Sequence, residues 1–224
     1  NMRFSFLISF YLSAAIILII SLIGLPFKFK TFSFFVNIFT KNMVIILKIF
    51  QIKIEVVNSQ LATKKGYLYA SKHQSMFETI YYNHLFYNPA YILKKELLSI
   101  PLFGTYLKKL GMIAIDRSQG IQSLRFVNEQ ASNYSKFRPV IIFPEGTRTA
   151  FREEPDLKPG IYSMYKSLNK PVVPIALNSG NFWPKNNSIK SGTIKIEFRD
   201  PIPTGLSKQE FLTKLKKEIN FLNH

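Results

Sequence analysis

Residues 4–27 form a run of 24 residues without a single charge. As a helix that run is about 36 Å long, against a hydrocarbon core of about 30 Å. Arg3 precedes it, and Lys28 and Lys30 follow. A secretory signal peptide is the competing reading. The apolar stretch is too long for a typical one, and no clear cleavage site follows. The expectation is therefore a retained membrane helix that either crosses the bilayer or dips into one leaflet. Gly24 and Pro26 suit a turn near its end.

Residues 31–50 read differently. Ser33, Asn37, Lys41 and Lys48 fall near one helical face, and Phe35, Val36, Ile38, Phe39, Ile45, Ile46 and Leu47 occupy the rest. A wide apolar face with a basic stripe fits a helix lying in the membrane interface. A core helix with a wet edge is the alternative. The expected organisation is a membrane-associating pair of helices at 1–50 followed by one domain at 51–224, long enough for a full core.

Beyond residue 50 the pattern alternates. Short β-branched and aromatic stretches at 52–57, 67–71, 90–93, 112–115, 140–143, 172–177 and 193–198 read as strands. Helical stretches lie between, at 75–87, 101–110, 120–134 and 160–168. A last helix opens at Ser207 with Glu210 three residues on, a capping box, and carries Phe211, Leu212, Leu215, Ile219 and Leu222 as its apolar stripe. The implied fold is α/β, a mostly parallel mixed sheet flanked by helices.

The chain carries 30 basic and 13 acidic residues, a net charge of +17. That balance favours anionic partners, and with the apolar N-terminal region it points to anionic membrane lipids. Much of the excess is Lys, as A/T-rich coding would also give. No zinc-finger spacing or aromatic RNA-binding motif accompanies the charge, so no nucleic-acid partner is expected. The positive-inside bias is expected to place the domain on the cytoplasmic side of the membrane. There are no cysteines, which removes disulfides, thiolate metal sites and a cysteine nucleophile. No His-Glu-x-x-His or Gly-x-Ser-x-Gly segment occurs, which argues against a zinc or serine hydrolase.

Two segments carry the chemistry. The first is His73-Gln74-Ser75-Met76-Phe77-Glu78, a histidine with a carboxylate five positions on. By itself this is weak, since any histidine has roughly a 6% chance of an acid at a chosen offset in this composition. The second, Phe143-Pro144-Glu145-Gly146-Thr147-Arg148, is far more specific. A His–carboxylate pair can form a general base, and a Gly-containing turn ending in Arg can hold a phosphate. His84 and His224 have no motif around them and are read as structural.

These two strings resemble the motifs of the glycerophospholipid acyltransferase family, which includes acyltransferases for lysophosphatidic acid and for glycerol-3-phosphate. Two further stretches follow the family's order: Lys94-Lys95-Glu96-Leu97 through Pro101 and Gly104 to Ile115-Asp116-Arg117, and Val172-Val173-Pro174-Ile175-Ala176. The resemblance covers about residues 50–205. One departure is Glu78, where the family usually has Asp.

The resemblance implies transfer of a fatty acyl group from coenzyme A or acyl carrier protein to lysophosphatidic acid, with no metal and no other cofactor. Glycerol-3-phosphate or another lysolipid is the alternative acceptor, and a non-catalytic membrane-binding protein the alternative class. His73 is expected as general base, with Glu78 fixing its tautomer. Arg117 and Arg148 are expected to bind phosphate, with Gly146 allowing close approach and Thr147 donating or capping the turn. Glu145 is grouped with this substrate-binding loop and is expected mainly to order it. Pro174 and Ile175 are expected on the acyl-pocket wall or in plain sheet core, and Lys94 and Gly104 along the cleft.

Overall fold

The computed structural model describes residues 2–22, 29–63 and 66–223. The turn expected at Gly24 and Pro26, and His224, lie outside the described residues. Two helices come first, α1 (Met2–Leu22) and α2 (Phe29–Ile49). There follow β1 (Ile52–Val57), β2 (Leu68–Ser71), α3 (Phe77–Leu85), β3 (Ala90–Lys94), α4 (Phe103–Lys109), β4 (Ile113–Ile115), α5 (Gly120–Tyr134) and β5 (Val140–Ile142). The chain continues with α6 (Gly160–Leu168), β6 (Val172–Leu177), the short α7 (Ser179–Phe182), β7 (Gly192–Phe198) and α8 (Lys208–Ile219).

The seven strands form one sheet in the order β1-β7-β6-β2-β5-β3-β4. Every neighbouring pair is parallel except β6 with β7. Helices cover both faces, as a central parallel sheet requires. One face packs Met43, Leu47, Phe77, Tyr82, Trp183 and Phe198 under α1, α2 and α3. The other packs Val127, Ile161, Met164, Phe211, Leu215 and Ile219 from α5, α6 and α8. Strands β2 and β6 are buried along their whole length, which is why they read as continuous apolar runs. Pro174 is tolerated in β6 because its carbonyl, and so its nitrogen, faces the β7 side one residue beyond the paired register, where a single backbone bond remains. There Pro174 O accepts from Arg199 N at 2.9 Å.

Parallel strands deliver their carboxyl ends to one edge. The chain leaves β2, β3, β4, β5 and β6 at residues 72, 95, 116, 143 and 178 on that same edge. Motifs far apart in sequence therefore converge, as ligand sites do in open α/β sheets.

Among the described residues, α1 is the one helix long and apolar enough to cross a membrane, with mean hydropathy 2.1 over Arg3–Ile20. It does not project away from the domain. Phe6 and Phe10 are buried with their rings edge-on to Trp183, each 5.0 Å between centroids. Arg3 donates to the Asn186 carbonyl at 3.0 Å, and the Tyr106 hydroxyl of α4 donates to the Leu18 carbonyl at 3.0 Å. The helix is thus tied to the domain near both ends. Its opposite face leaves Phe4, Ile8, Leu12, Ile16 and Ile19 exposed. Helix α2 buries Met43, Ile46 and Leu47 in the core, while Ile38, Ile45 and Ile49 stand outward beside Asn37, Lys41 and Lys48. One of its faces lies in the core, as the core-helix alternative has it, and the other is an exposed apolar and basic surface.

Candidate active site

The loop after β2 is folded around one carboxylate. Glu78, fully buried in the first turn of α3, accepts four hydrogen bonds. His73 Nδ1 lies 2.9 Å from Oε1, the backbone N–H groups of Gln74 and Ser75 donate to that oxygen at 2.7 and 2.8 Å, and Ser179 Oγ donates to Oε2 at 2.9 Å. This wrapping explains why α3 begins at Phe77 and not at 75, because the preceding N–H groups point at Glu78 and not along a helix. With Nδ1 occupied by Glu78, the ring nitrogen left to face the cavity is Nε2, in the acceptor tautomer. The imidazole stacks on Phe143, 4.1 Å between centroids, so its plane is fixed as well.

The turn after β5 grips the histidine from the other side. Glu145 Oε2 accepts from His73 N–H at 3.1 Å, and Thr149 N–H donates to the His73 carbonyl at 2.8 Å. Glu145 Oε1 accepts from Lys72 Nζ at 2.6 Å, and Lys72 also donates to the Glu153 carbonyl at 2.5 Å. Lys72 and Glu145 are both fully buried at their side chains. Burial pushes the Glu145 carboxyl up, while the Lys72 ammonium and the His73 N–H pull the other way. Glu145 therefore does not face a substrate. Its carboxylate is consumed in joining the loop to His73, the ordering role expected for it, and unlike the residues it was grouped with it does not line the cavity.

Gly146 sits at φ +71°, and a Cβ there would come 2.8 Å from Arg117 Nη2. Only glycine allows this approach, in which Arg117 Nη2 donates to the Gly146 carbonyl at 2.7 Å. Arg148 makes no hydrogen bond or ion pair among the described residues, and its guanidinium is left for a ligand.

A cavity of about 1400 Å³ opens beside His73, larger than the roughly 300–1,000 Å³ of small-molecule sites. Its polar end carries His73, Arg117, Gly146, Thr147, Arg148 and Lys158. Its apolar part runs between α1, α2, α3 and α4, past Ala14, Phe39, Ile80, Leu93, Tyr106 and Leu107. Asp116 lies on the lining too, but bonds to Ser118 and Lys95 hold its carboxyl down at about 2. The arrangement can take a proton from a hydroxyl at Nε2, hold an anion beside it, and shelter long apolar chains.

Pro174 and Ile175 are absent from this lining. They lie in the sheet core on β6, separated from β3 by β2 and β5, with Ile175 fully buried between β2 and β7. The apolar lining comes instead from the helices and from residues of β3, β4 and β5 such as Leu93, Ile115 and Ile142. Gly104 is also off the cavity: a Cβ there would meet the Leu98 carbonyl at 2.0 Å, so it serves the close packing of α4 on the turn Lys95–Ser99. Lys94 does line the cavity. Lys72, Ser179, Phe143 and Lys158 were not singled out from sequence as parts of this site. No spacing marks Lys72 or Ser179, whereas Phe143 stood inside the second motif string.

A family model described as acyltransferase matches residues 53–178, more than half of the chain. A 1-acyl-sn-glycerol-3-phosphate acyltransferase of Pseudomonas aeruginosa is 37% identical over 147 residues, 65% of this chain and 57% of that protein. The enzyme of the same name from Escherichia coli is 26% identical over 137 residues, 60% of this chain and 56% of its own length. The chain thus spans somewhat over half the length of these curated relatives. The crystal structure of the 1-acyl-sn-glycerophosphate (LPA) acyltransferase PlsC from Thermotoga maritima has the same fold, with TM-score 0.81 at 19% identity, covering 99% of this chain and 94% of that one.

Proposed function

Because the chain belongs to the acyltransferase family, we propose that it moves a fatty acyl group from an acyl thioester to the free hydroxyl of lysophosphatidic acid, giving phosphatidic acid. The relatives' names support the acceptor. The observation that carries the reading is the His73–Glu78 pair, opening on a cavity with guanidinium groups at one end and an apolar interior at the other.

In this reading the acceptor hydroxyl gives its proton to His73 Nε2 as its oxygen attacks the thioester carbonyl. The tetrahedral intermediate collapses with cleavage of the C–S bond, and the departing thiolate takes the proton back from imidazolium. Glu78 stabilises the imidazolium, and its three other donors keep it in place. Arg148 and Arg117 hold the phosphomonoester, with Arg117 braced on the Gly146 carbonyl. The acyl donor is a coenzyme A or acyl carrier protein thioester, and no metal or further cofactor enters the chemistry.

Helices α1 and α2 supply the membrane contact. The exposed apolar face of α1 lies beside the domain, so the helix enters one leaflet and does not thread through both. Lys41 and Lys48 then face anionic headgroups, on the cytoplasmic side of the inner membrane.

The test is thiol release from an acyl thioester in liposomes, read with a thiol-reactive dye. The chain has no cysteine to interfere. Release that depends on lysophosphatidic acid is expected. Release without acceptor would mean a thioesterase, and release only with glycerol-3-phosphate would move the acceptor. Silence with both donors and all lysolipids would leave a non-catalytic membrane protein.

A further inference from the structure

The connection into α4 is a strained turn that presents apolar side chains. Phe103 N–H donates to the Pro101 carbonyl at 2.7 Å across Leu102, whose backbone sits at φ 60°, ψ −55°. This is the γ-turn geometry, rare and unfavourable for a residue with a side chain. It holds Ile100, Leu102 and Phe103 outward, 44%, 43% and 44% exposed. The missing Cβ at Gly104 lets α4 pack directly on the turn behind, so the projection rests on a close-packed base. Strain retained in order to display leucine to water has no benefit for a water-facing surface.

The surroundings indicate what it faces. One turn further along α4, Tyr106 is bonded to the Leu18 carbonyl of α1, whose outer face there is Ile16, Ile19 and Ile20. The apolar outer surface of α1 thus continues onto the turn. Phe103 and Ile121, the latter 71% exposed, also line the cavity that holds His73. From residue 94 to 125 the chain has six basic residues (Lys94, Lys95, Lys108, Lys109, Arg117, Arg125) and two acidic ones (Glu96, Asp116). An apolar tip on a segment with this excess of cations is complementary to an anionic lipid surface and not to water.

We propose that the turn at residues 100–103 is a second membrane contact, inserted at the headgroup boundary of an anionic bilayer beside α1. With Phe103 and Ile121 it forms the portal through which a single-chain lipid passes from the leaflet to His73. The inference rests on the membrane-bound acyltransferase reading above. A lipid chain that crossed water would expose every methylene, whereas a portal wetted by the bilayer keeps the chain in apolar surroundings along its path. The cationic rim keeps the headgroup beside Arg117 while the chain slides past Phe103.

Two variants test it. Leu102→Trp places an indole at the tip, and the single native Trp183 is buried and remote from solvent. With vesicles of phosphatidylcholine and phosphatidylglycerol carrying brominated chains, the emission added by the new indole should fall at least two-fold. Leu102→Gly removes the side chain and relaxes the backbone together. Its Tm in detergent should be unchanged or higher, and its rate on a short-chain monomeric acceptor should match the parent. Its rate on long-chain lysophosphatidic acid in vesicles should drop several-fold. An unquenched indole and a full vesicle rate for Leu102→Gly, in protein that still sediments with vesicles, would overturn the portal and leave docking by α1 intact. A lowered Tm with equal losses on both acceptors would make the turn merely structural. Parent protein that does not sediment with vesicles would remove the membrane-docking reading, and the portal with it.

Discussion

Replacing Lys72 by Met probes the buried clamp behind His73. Lys72 and Glu145 have no side-chain exposure and meet at 2.6 Å. Lys72→Met leaves the Glu145 carboxylate with the His73 N–H and long contacts to Thr149 Oγ1 at 3.4 Å. Breaking a buried pair by removing one partner costs about 3–5 kcal/mol. At about 2–4 °C per kcal/mol for a chain of this size, Tm should fall by roughly 6–20 °C. Glu145→Gln should cost a similar amount by stranding the ammonium. The double variant removes both charges and should be more stable than either single one. The pH dependence fixes the sign. Burial already raises the Glu145 carboxyl, and losing Lys72 raises it further. A folded-state carboxyl raised above its unfolded value makes stability fall as pH rises above the unfolded value. Lys72→Met should therefore lose more Tm at pH 8 than at pH 5. Thermal unfolding in detergent, with parent, both singles and the double across that range, reads all of this. Additive losses in the double variant, or a pH-independent loss, would refute the reasoning.

Further outcomes follow from the same geometry. Glu78→Asp installs the residue the family usually has but withdraws the carboxylate from donors arranged around the longer side chain; a misplacement of about 1 Å costs on the order of 10²-fold, so kcat should fall by about that factor with the acceptor KM little changed. Gly146→Ala forces a Cβ into the left-handed region and onto Arg117; steady-state kinetics should show a raised acceptor KM, and Tm should reflect a loss of about 1–2 kcal/mol. Arg148→Ala should weaken acceptor binding, and unchanged KM and kcat would remove it from the site. Ser118 and Lys95 hold the Asp116 carboxyl at about 2, below its ordinary 3.8; that contribution is complete above about 3.8 and lost as pH falls through 2, so Asp116→Asn should flatten this part of an acid-unfolding curve.

The strands and their order of chemistry were legible because burial leaves a plain mark. Residues 172–177 and 120–134 matched their elements end to end, and the capping box at Ser207 and Glu210 is formed. Ends shaped by side chains were not legible. Helix α3 starts late because Glu78 draws in the N–H groups of Gln74 and Ser75. Glu145 read as part of a binding string because its partner, Lys72, lies 73 residues away and no local pattern announces it. Pro174 and Ile175 were ambiguous between pocket and core, since an apolar run looks the same in either place; only sheet order put β6 away from the cavity. Much of the cavity lining comes from α1 to α4, whose apolar residues are indistinguishable in sequence from those on the exposed helix faces.

The central claim is that His73 Nε2 takes the acceptor's proton. Its most direct test compares phosphatidic acid formation by the parent and by His73→Ala, in vesicles containing lysophosphatidic acid and an acyl thioester, with the Tm of both proteins recorded. The account requires the variant to stay folded and lose turnover by a factor of at least 10²–10⁴. A folded His73→Ala protein that still makes phosphatidic acid at near the parental rate would contradict it.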